Sequence, residues 1–244
     1  MLAVSKLLNK MKIVFDQVNK SYGVIDALKN ISFEIDQGEF VFIVGHSGAG
    51  KSTIIKLILN QITPTSGTIQ IDDIDLVQGQ KEDIDNIRRN IGVIFQDYQL
   101  IADKSIEENI ALNLDIVSFP KDKIQSKIDE VLKQVDLNNR RFLFPSQLSG
   151  GELQRAALAR ALAIEPKIIL ADEPTGNLDM ENSWNLVKLL KDINENSSTT
   201  IIMTTHNNDI IESLNKRKIE ISHGEIKSPH RHSEAKKHTH SKKS

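Results

Sequence analysis

The chain has 244 residues, 39% hydrophobic and 26% charged, with no cysteine and a formal net charge of −2. That length supports one substantial core with room for an inserted subdomain, the lack of cysteine excludes disulfides and thiolate metal sites, and no apolar run approaches the roughly 18 residues of a membrane span. The charge is uneven: six Lys or Arg against Glu234 make the chain from Lys227 onward +5, leaving −7 on residues 1–226, which argues against broad nucleic-acid binding by the folded body.

Residues 1–11, MLAVSKLLNKM, hold too short an apolar segment for a secretory signal and read as a leader. Apolar alternation over Lys12 to Val18 and Leu28 to Ile35 predicts two antiparallel strands joined through Asn19 to Gly23. Tyr22 falls in that turn, where its ring could stack on an adenine if a nucleotide site lies nearby. The stretch Glu39 to Thr53, EFVFIVGHSGAGKST, comes next. An apolar strand, Phe40 to Val44, leads to Gly45 and Gly50 bracketing His46, Ser47, Gly48 and Ala49. Lys51, Ser52 and Thr53 then open the apolar-periodic segment Ile54 to Leu59. Strand, Gly-x-x-x-x-Gly-Lys-Ser loop and helix make a phosphate-binding P-loop. Its glycines let successive N–H groups turn toward a polyphosphate, and the helix N-terminus adds a positive dipole end. Lys51 is placed to reach the β- and γ-phosphates of a nucleotide and Ser52 to ligate Mg²⁺. An incidental lysine after a Gly-rich turn would not require this flanking strand and helix.

Pro64 to Gly67 make a turn, Thr68 to Asp75 a strand, Asp83 to Arg89 a short helix and Ile91 to Phe95 a buried strand. From about Asp97 to Ile164 the period becomes helical. Ile124, Ile128, Val131, Leu132 and Val135 form one stripe over Lys121 to Val135, and a second helix runs from about Gly151 to Ala163. Lys167 to Ala171 reads as a central parallel strand. A helix over Glu181 to Asn194, a strand over Thr200 to Thr204, a short helix over Asp209 to Leu214 and a hairpin turning at His223-Gly224 follow. Strands alternating with helices indicate an α/β core with a parallel sheet, into which residues 97–164 insert as a helical subdomain.

Candidate chemistry sits at the ends of these strands. Asp172 ends one and can accept from Mg²⁺-bound waters. Glu173 is expected to point the other way by strand alternation and to polarise an attacking water as general base. Gln96 ends a second strand and can offer an amide oxygen to Mg²⁺ or water, although a lone Gln is more often a polar strand end. His206 follows a third and could contact a γ-phosphate, although a lone His is more often structural. Ser149, Gly150, Gly151 and Glu152, in LSGGE, bare backbone N–H groups at a helix start and make a second anion-binding tip. A Ser-capped helix explains the Ser but not the paired glycines. Two such tips in one domain suggest that the second serves the nucleotide of another copy.

Tyr22, Gly45 to Ser52, Gln96, Leu148 to Glu152, Ile169 to Glu173, Asn177-Leu178-Asp179 and His206 occur in the order and spacing of an ABC-transporter ATPase domain, which the chain resembles over about residues 12–226. The resemblance assigns them as A-loop, Walker A, Q-loop, signature, Walker B, D-loop and H-switch. It implies a P-loop NTPase (ABC ATPase) core with an N-terminal antiparallel β subdomain and an inserted α-helical subdomain, all within residues 12–227. GHSGAGKST at Gly45–Thr53, RRNIGVIFQDYQLI at Arg88–Ile101 and DEPTGNLD at Asp172–Asp179 resemble the FtsE family of bacterial cell-division ATPases. The last motif is shared with lipoprotein-release and macrolide-export ATPases of the LolD and MacB kinds. Two departures are Leu153, where the family usually carries Gln, and a His/Lys-rich tail over 228–244.

By that resemblance the function is ATP hydrolysis with Mg²⁺ as cofactor, in a head-to-tail homodimer. ATP would lie between Gly45–Ser52 of one copy and Ser149–Glu152 of the other, with Glu173, His206 and Lys51 catalytic and Ser52, Gln96 and Asp172 at the metal. The partners implied are an integral membrane protein of the FtsX type and the divisome, at the cytoplasmic face of the plasma membrane. A transport ATPase would share every catalytic residue. A DNA-repair or translation ABC protein would need a coiled-coil insertion or tandem domains, and an inactive scaffold is disfavoured by Lys51, Asp172, Glu173 and His206. The tail, with four histidines, is expected to be disordered, as a solvated charged segment or one drawn to an anionic membrane surface.

Overall fold

The computed structural model describes residues 11–227. The leader through Lys10 and the tail from Ser228 lie outside the described residues.

Two sheets organise the molecule. A four-stranded antiparallel sheet contains β1 (Ile13–Tyr22), β2 (Ile25–Ile35), β4 (Ser66–Ile71) and β5 (Ile74–Asp75), in the order β2-β1-β4-β5. A six-stranded sheet contains β3 (Phe40–Val44), β6 (Ile91–Phe95), β7 (Ile168–Asp172), β8 (Thr200–Thr205), β9 (Arg217–Ser222) and β10 (Glu225–Ile226), in the order β10-β9-β3-β8-β7-β6. All its pairs are parallel except the terminal β9–β10 hairpin.

Strand alternation explains how one sheet serves two cores. Phe40, Phe42 and Val44 of β3 face the core shared with α3 (Ile106–Ile116), α4 (Ile124–Gln134), α5 (Gly150–Ala163) and α6 (Met180–Ser197). Val41 and Ile43 face the opposite core, which joins α1 (Lys51–Ile58) to the antiparallel sheet through Ile54, Ile55, Ile13, Phe15 and Ile31. β7 divides likewise, with Ile169 and Ala171 on one side and Ile168 and Leu170 on the other. Sandwiched strands of this kind are apolar on both faces, hence their unbroken hydrophobic runs.

Several boundaries differ from expectation. The first strand continues past Val18 to Tyr22, because its register with β2 shifts at irregularities and is re-established at Ser21↔Asp26 and Tyr22↔Ile25. Tyr22 therefore ends a strand and does not sit in the turn. The strand expected over Thr68 to Asp75 folds into a hairpin at Asp72, whose φ is 52° and whose carboxylate accepts from the Lys12 N–H. Met11, placed with the leader by sequence, is fully buried in the core beneath the antiparallel sheet. α2 (Lys81–Arg88) and α7 (Asn208–Leu214) appear within two residues of expectation. No helix among the described residues is long and apolar enough to cross a membrane.

Candidate nucleotide site

The C-terminal ends of β3, β6, β7 and β8 meet at one edge of the parallel sheet, where open α/β sheets place their ligands. A cleft of about 580 Å³ opens there, lined by His46, Ser47, Gly48, Gly50, Lys51, Ser52, Thr53, Gln96, Glu173 and His206, together with Ala27. Ten residues singled out from separate motifs thus share one cavity.

The loop between β3 and α1 owes its shape to Gly50. Its φ of 112° is open only to glycine, and a Cβ there would sit 2.7 Å from both the Ala27 carbonyl and the Leu28 side chain. Gly50 is also the N-cap of α1, with no side chain capping the first turn. Lys51 is 7% exposed, and its Nζ donates to the carbonyls of Gly45 (2.9 Å) and His46 (3.2 Å) while pairing with Glu173 Oε1 at 3.1 Å. Gly45 and Ala49 do not line the cleft. Gly45 supplies that carbonyl, and Ala49 is buried with its N–H bonded to His46.

Asp172 and Glu173 both turn toward this loop, contrary to the strand alternation expected of them. Ser52 Oγ donates to Asp172 Oδ1 at 3.1 Å, and Glu173 contacts Lys51 and receives His206 Nδ1–H at 2.9 Å on Oε2. The reason lies in one dihedral. β7 ends at Asp172, and Glu173 has a left-handed φ of 48°, which breaks the alternation and swings its side chain back. Sequence reasoning missed Thr204, the cross-strand neighbour of Asp172. Its Oγ1 accepts from the Glu173 N–H at 2.8 Å and donates to Asp172 Oδ1 at 2.7 Å. The available signal was a threonine closing the apolar run Ile201 to Met203, on a strand whose other threonines, Thr200 and Thr205, are buried as well.

Gln96 is fastened to the loop that follows β7: its Nε2 donates to Asn177 Oδ1 at 3.2 Å, and Asn177 Nδ2 donates to the Gln96 carbonyl at 2.9 Å. The amide oxygen is then the atom Gln96 can offer a cation or water. Beyond Gln96, the half-buried Arg160 guanidinium, its pKa lowered by desolvation, donates to the carbonyls of Tyr98 and Gln99 and braces their left-handed turn. Tyr22 stands outside the cleft, 45% exposed, with Lys20 Nζ 5.1 Å from its ring centroid.

The tip at Ser149 to Glu152 is also outside the cleft. Ser149 caps α5 in a reciprocal box: its Oγ accepts from the Glu152 N–H, and Glu152 Oε2 accepts from the Ser149 N–H at 2.9 Å. Arg140 Nε donates to Glu152 Oε1 at 2.8 Å, and chiefly through this contact, with the Ser149 bonds adding to it, the Glu152 carboxyl is held down to about 2. The second glycine has an intramolecular reason. A Cβ on Gly151 would collide with the Asn182 side-chain amide, whose position is set by Asp179, the N-cap of α6.

The family model for the ABC transporter matches residues 28–176. The chain is 44% identical to the cell division ATP-binding protein FtsE of Bacillus subtilis (strain 168), over 86% of this chain and 92% of that protein. It is 40% identical to the methionine import ATP-binding protein MetN of Vibrio vulnificus (strain YJ016), over 90% of this chain but 63% of that protein. Among solved structures it is similar to the ATP-binding cassette MJ0796, a dimer in a post-hydrolysis state bound to ADP and Pi. The TM-score is 0.80 at 36% identity, covering 88% of this chain and 97% of that one. A family match that spans the P-loop and the β7 carboxylates, with a relative alike over nearly its whole length, completes the case: the chain belongs to the ABC transporter family and is an ATPase of that kind.

Proposed function

We propose that this chain is the ATPase of a cell-division complex of the FtsE kind, working as an ATP-sandwich dimer that drives conformational change in an FtsX-type membrane partner and so regulates septal cell-wall hydrolysis. The observation that carries the enzymatic part is the convergence of Lys51, Ser52, Glu173 and His206 on one cleft, with Asp172 behind it in contact with Ser52. The ATPase domain spans residues 12–227, with residues 97–164 as its helical insertion.

ATP is the substrate. Ser52 Oγ, the Asp172 carboxylate and the Gln96 amide oxygen form an all-oxygen donor set, and the 3.1 Å approach of Ser52 to Asp172 suits a small hard cation. Mg²⁺ held there would neutralise charge on the phosphates. Lys51 binds the β- and γ-phosphates, whose oxygens compete with Glu173 for its ammonium. Glu173, released from Lys51 but still held by His206 Nδ1–H, takes a proton from the attacking water as general base. Tyr22 stacks on the adenine as the β1–β2 hairpin meets the nucleotide. Ser149, Gly150, Gly151 and Glu152 contact the nucleotide of the second copy, which the dimeric state of the MJ0796 cassette supports. Exit of the phosphate separates the copies, and the membrane partner senses this at the Gln96 loop and the helical insertion, on the cytoplasmic face of the membrane.

Replacing Glu173 with Gln is expected to reduce phosphate release by about 100- to 10,000-fold while ATP-dependent dimers persist on gel filtration. Wild-type turnover would remove Glu173 as the base. Similarity to MetN supports a second reading, the ATPase of a transporter. Co-purification from membranes separates the two: a four-span protein with a large extracytoplasmic domain supports division, and a solute permease supports transport.

A further inference from the structure

We infer that Thr204 is a positioning residue for ATP hydrolysis, one hydroxyl that sets both carboxylates of the site at once. The inference rests on the roles proposed above for Asp172 and Glu173.

The hydroxyl's polarity is determined by its neighbours. The Glu173 N–H can only donate, so Thr204 Oγ1 accepts from it at 2.8 Å. The hydroxyl proton is therefore left to point at Asp172 Oδ1, 2.7 Å away. That same oxygen receives Ser52 Oγ–H at 3.1 Å, so Thr204 fixes the carboxylate from the sheet side while Ser52 meets it from the P-loop side. The bond to the Glu173 N–H matters for a different reason. Glu173 is in the left-handed region, φ 48°, where a residue with a Cβ persists only when its surroundings hold it. Thr204 supplies that hold at the residue whose side chain reaches Lys51 and His206.

The side chain has no other evident task. Thr204 is fully buried, and Ile201, Ile202 and Met203 before it on β8 are apolar. Valine would satisfy the strand's preference for β-branched residues in the same volume. The hydroxyl is costly to bury without partners. Among the described residues its hydrogen bonds go to Asp172 and Glu173. Nor does Thr204 line the cleft, so it acts on the reaction through these two and not by touching the nucleotide.

The test compares Thr204→Val, which removes the hydroxyl and keeps the shape, with Thr204→Ser, which keeps the hydroxyl, in the full chain. Steady-state ATP hydrolysis, affinity for a fluorescent ATP analogue and thermal melting are measured, with Glu173→Gln as a control. Thr204→Val is expected to lower kcat by about 10- to 100-fold, as loss of an orienting partner does, while nucleotide affinity stays within about threefold and Thr204→Ser returns kcat to within about threefold of wild type. A Thr204→Val protein within about twofold of wild-type kcat overturns the inference. So does a loss in which kcat, affinity and melting temperature fall together and serine does not restore them, since that marks a packing role. Normal turnover by Glu173→Gln would instead overturn the base assignment. An inactive Glu173→Gln beside a normal Thr204→Val removes Thr204 alone.

Discussion

Two helices in this molecule begin at glycine-bearing tips, and they begin in opposite ways. α1 starts behind Gly50 with no side-chain cap, and its loop is held from within by Lys51, folded onto the carbonyls of Gly45 and His46. α5 starts behind Ser149 with a complete capping box, its Glu152 further tied to Arg140. A helix without a side-chain cap leaves first-turn N–H groups for an external anion, whereas a capped one has already committed part of that capacity to its own chain. α1 thus keeps its first-turn N–H groups uncommitted, as α2 and α4 also do, but it alone among these three starts at the cleft beside Lys51 and Glu173. The signature tip is first a well-made helix start, and the use toward a second copy proposed for it has to be compatible with that cap.

The largest effect is expected at Lys51. Lys51→Ala should reduce turnover by about 100- to 1,000-fold, the scale for losing one preorganised charge-stabilising donor, with nucleotide binding weakened in a fluorescence titration. Equal activity would mean that the loop does not hold the phosphates through this ammonium. Gly151→Ala comes next and should act on folding, because its Cβ meets Asn182. A loss of at most about 1 kcal/mol in urea melts is expected, since the Asn182 amide can shift and alanine gains helix propensity, and adding Asn182→Ala should recover it. If stability is unchanged and only dimerisation suffers, Gly151 is small for its partner's sake after all. Ser149→Ala should cost about 1 kcal/mol of stability through the lost cap, visible as a lower melting temperature, and leave nucleotide affinity of the monomer intact. The smallest effect is with acid. Because the Glu152 carboxyl lies lower in the fold than its ordinary 4.5, its stabilising contribution is full above that value and fades as pH falls toward about 2. Arg140→Ala should move that loss to higher pH in acid melts, and an unshifted profile would show that Arg140 does not hold Glu152.

Much of the site could be read from the chain alone, and for a local reason. Gly45 to Thr53 is contiguous, so loop shape, helix start and lysine position follow from neighbours a few residues apart. The buried strands announced themselves because a strand covered on both faces must be apolar throughout, as Phe40 to Val44 and Ile168 to Ala171 are. The paired glycines at Gly150 and Gly151 were harder: the contact that demands a small residue at Gly151 comes from Asn182, on a different helix.

The inventory and order of the parts follow from the chain alone: a phosphate loop, two carboxylates at a strand end, a capped second tip and an α/β alternation with a helical insertion. Periodicity and motif spacing are properties of adjacent residues, and these parts are built from adjacent residues. The direction of Glu173, the place of Tyr22 at a strand end outside the cleft and that of Thr204 beneath both carboxylates came from the fold. Each depends on a single dihedral or on the register between strands far apart in the chain. Strand alternation predicts a side chain's direction only while the strand lasts, and β7 ends one residue before Glu173.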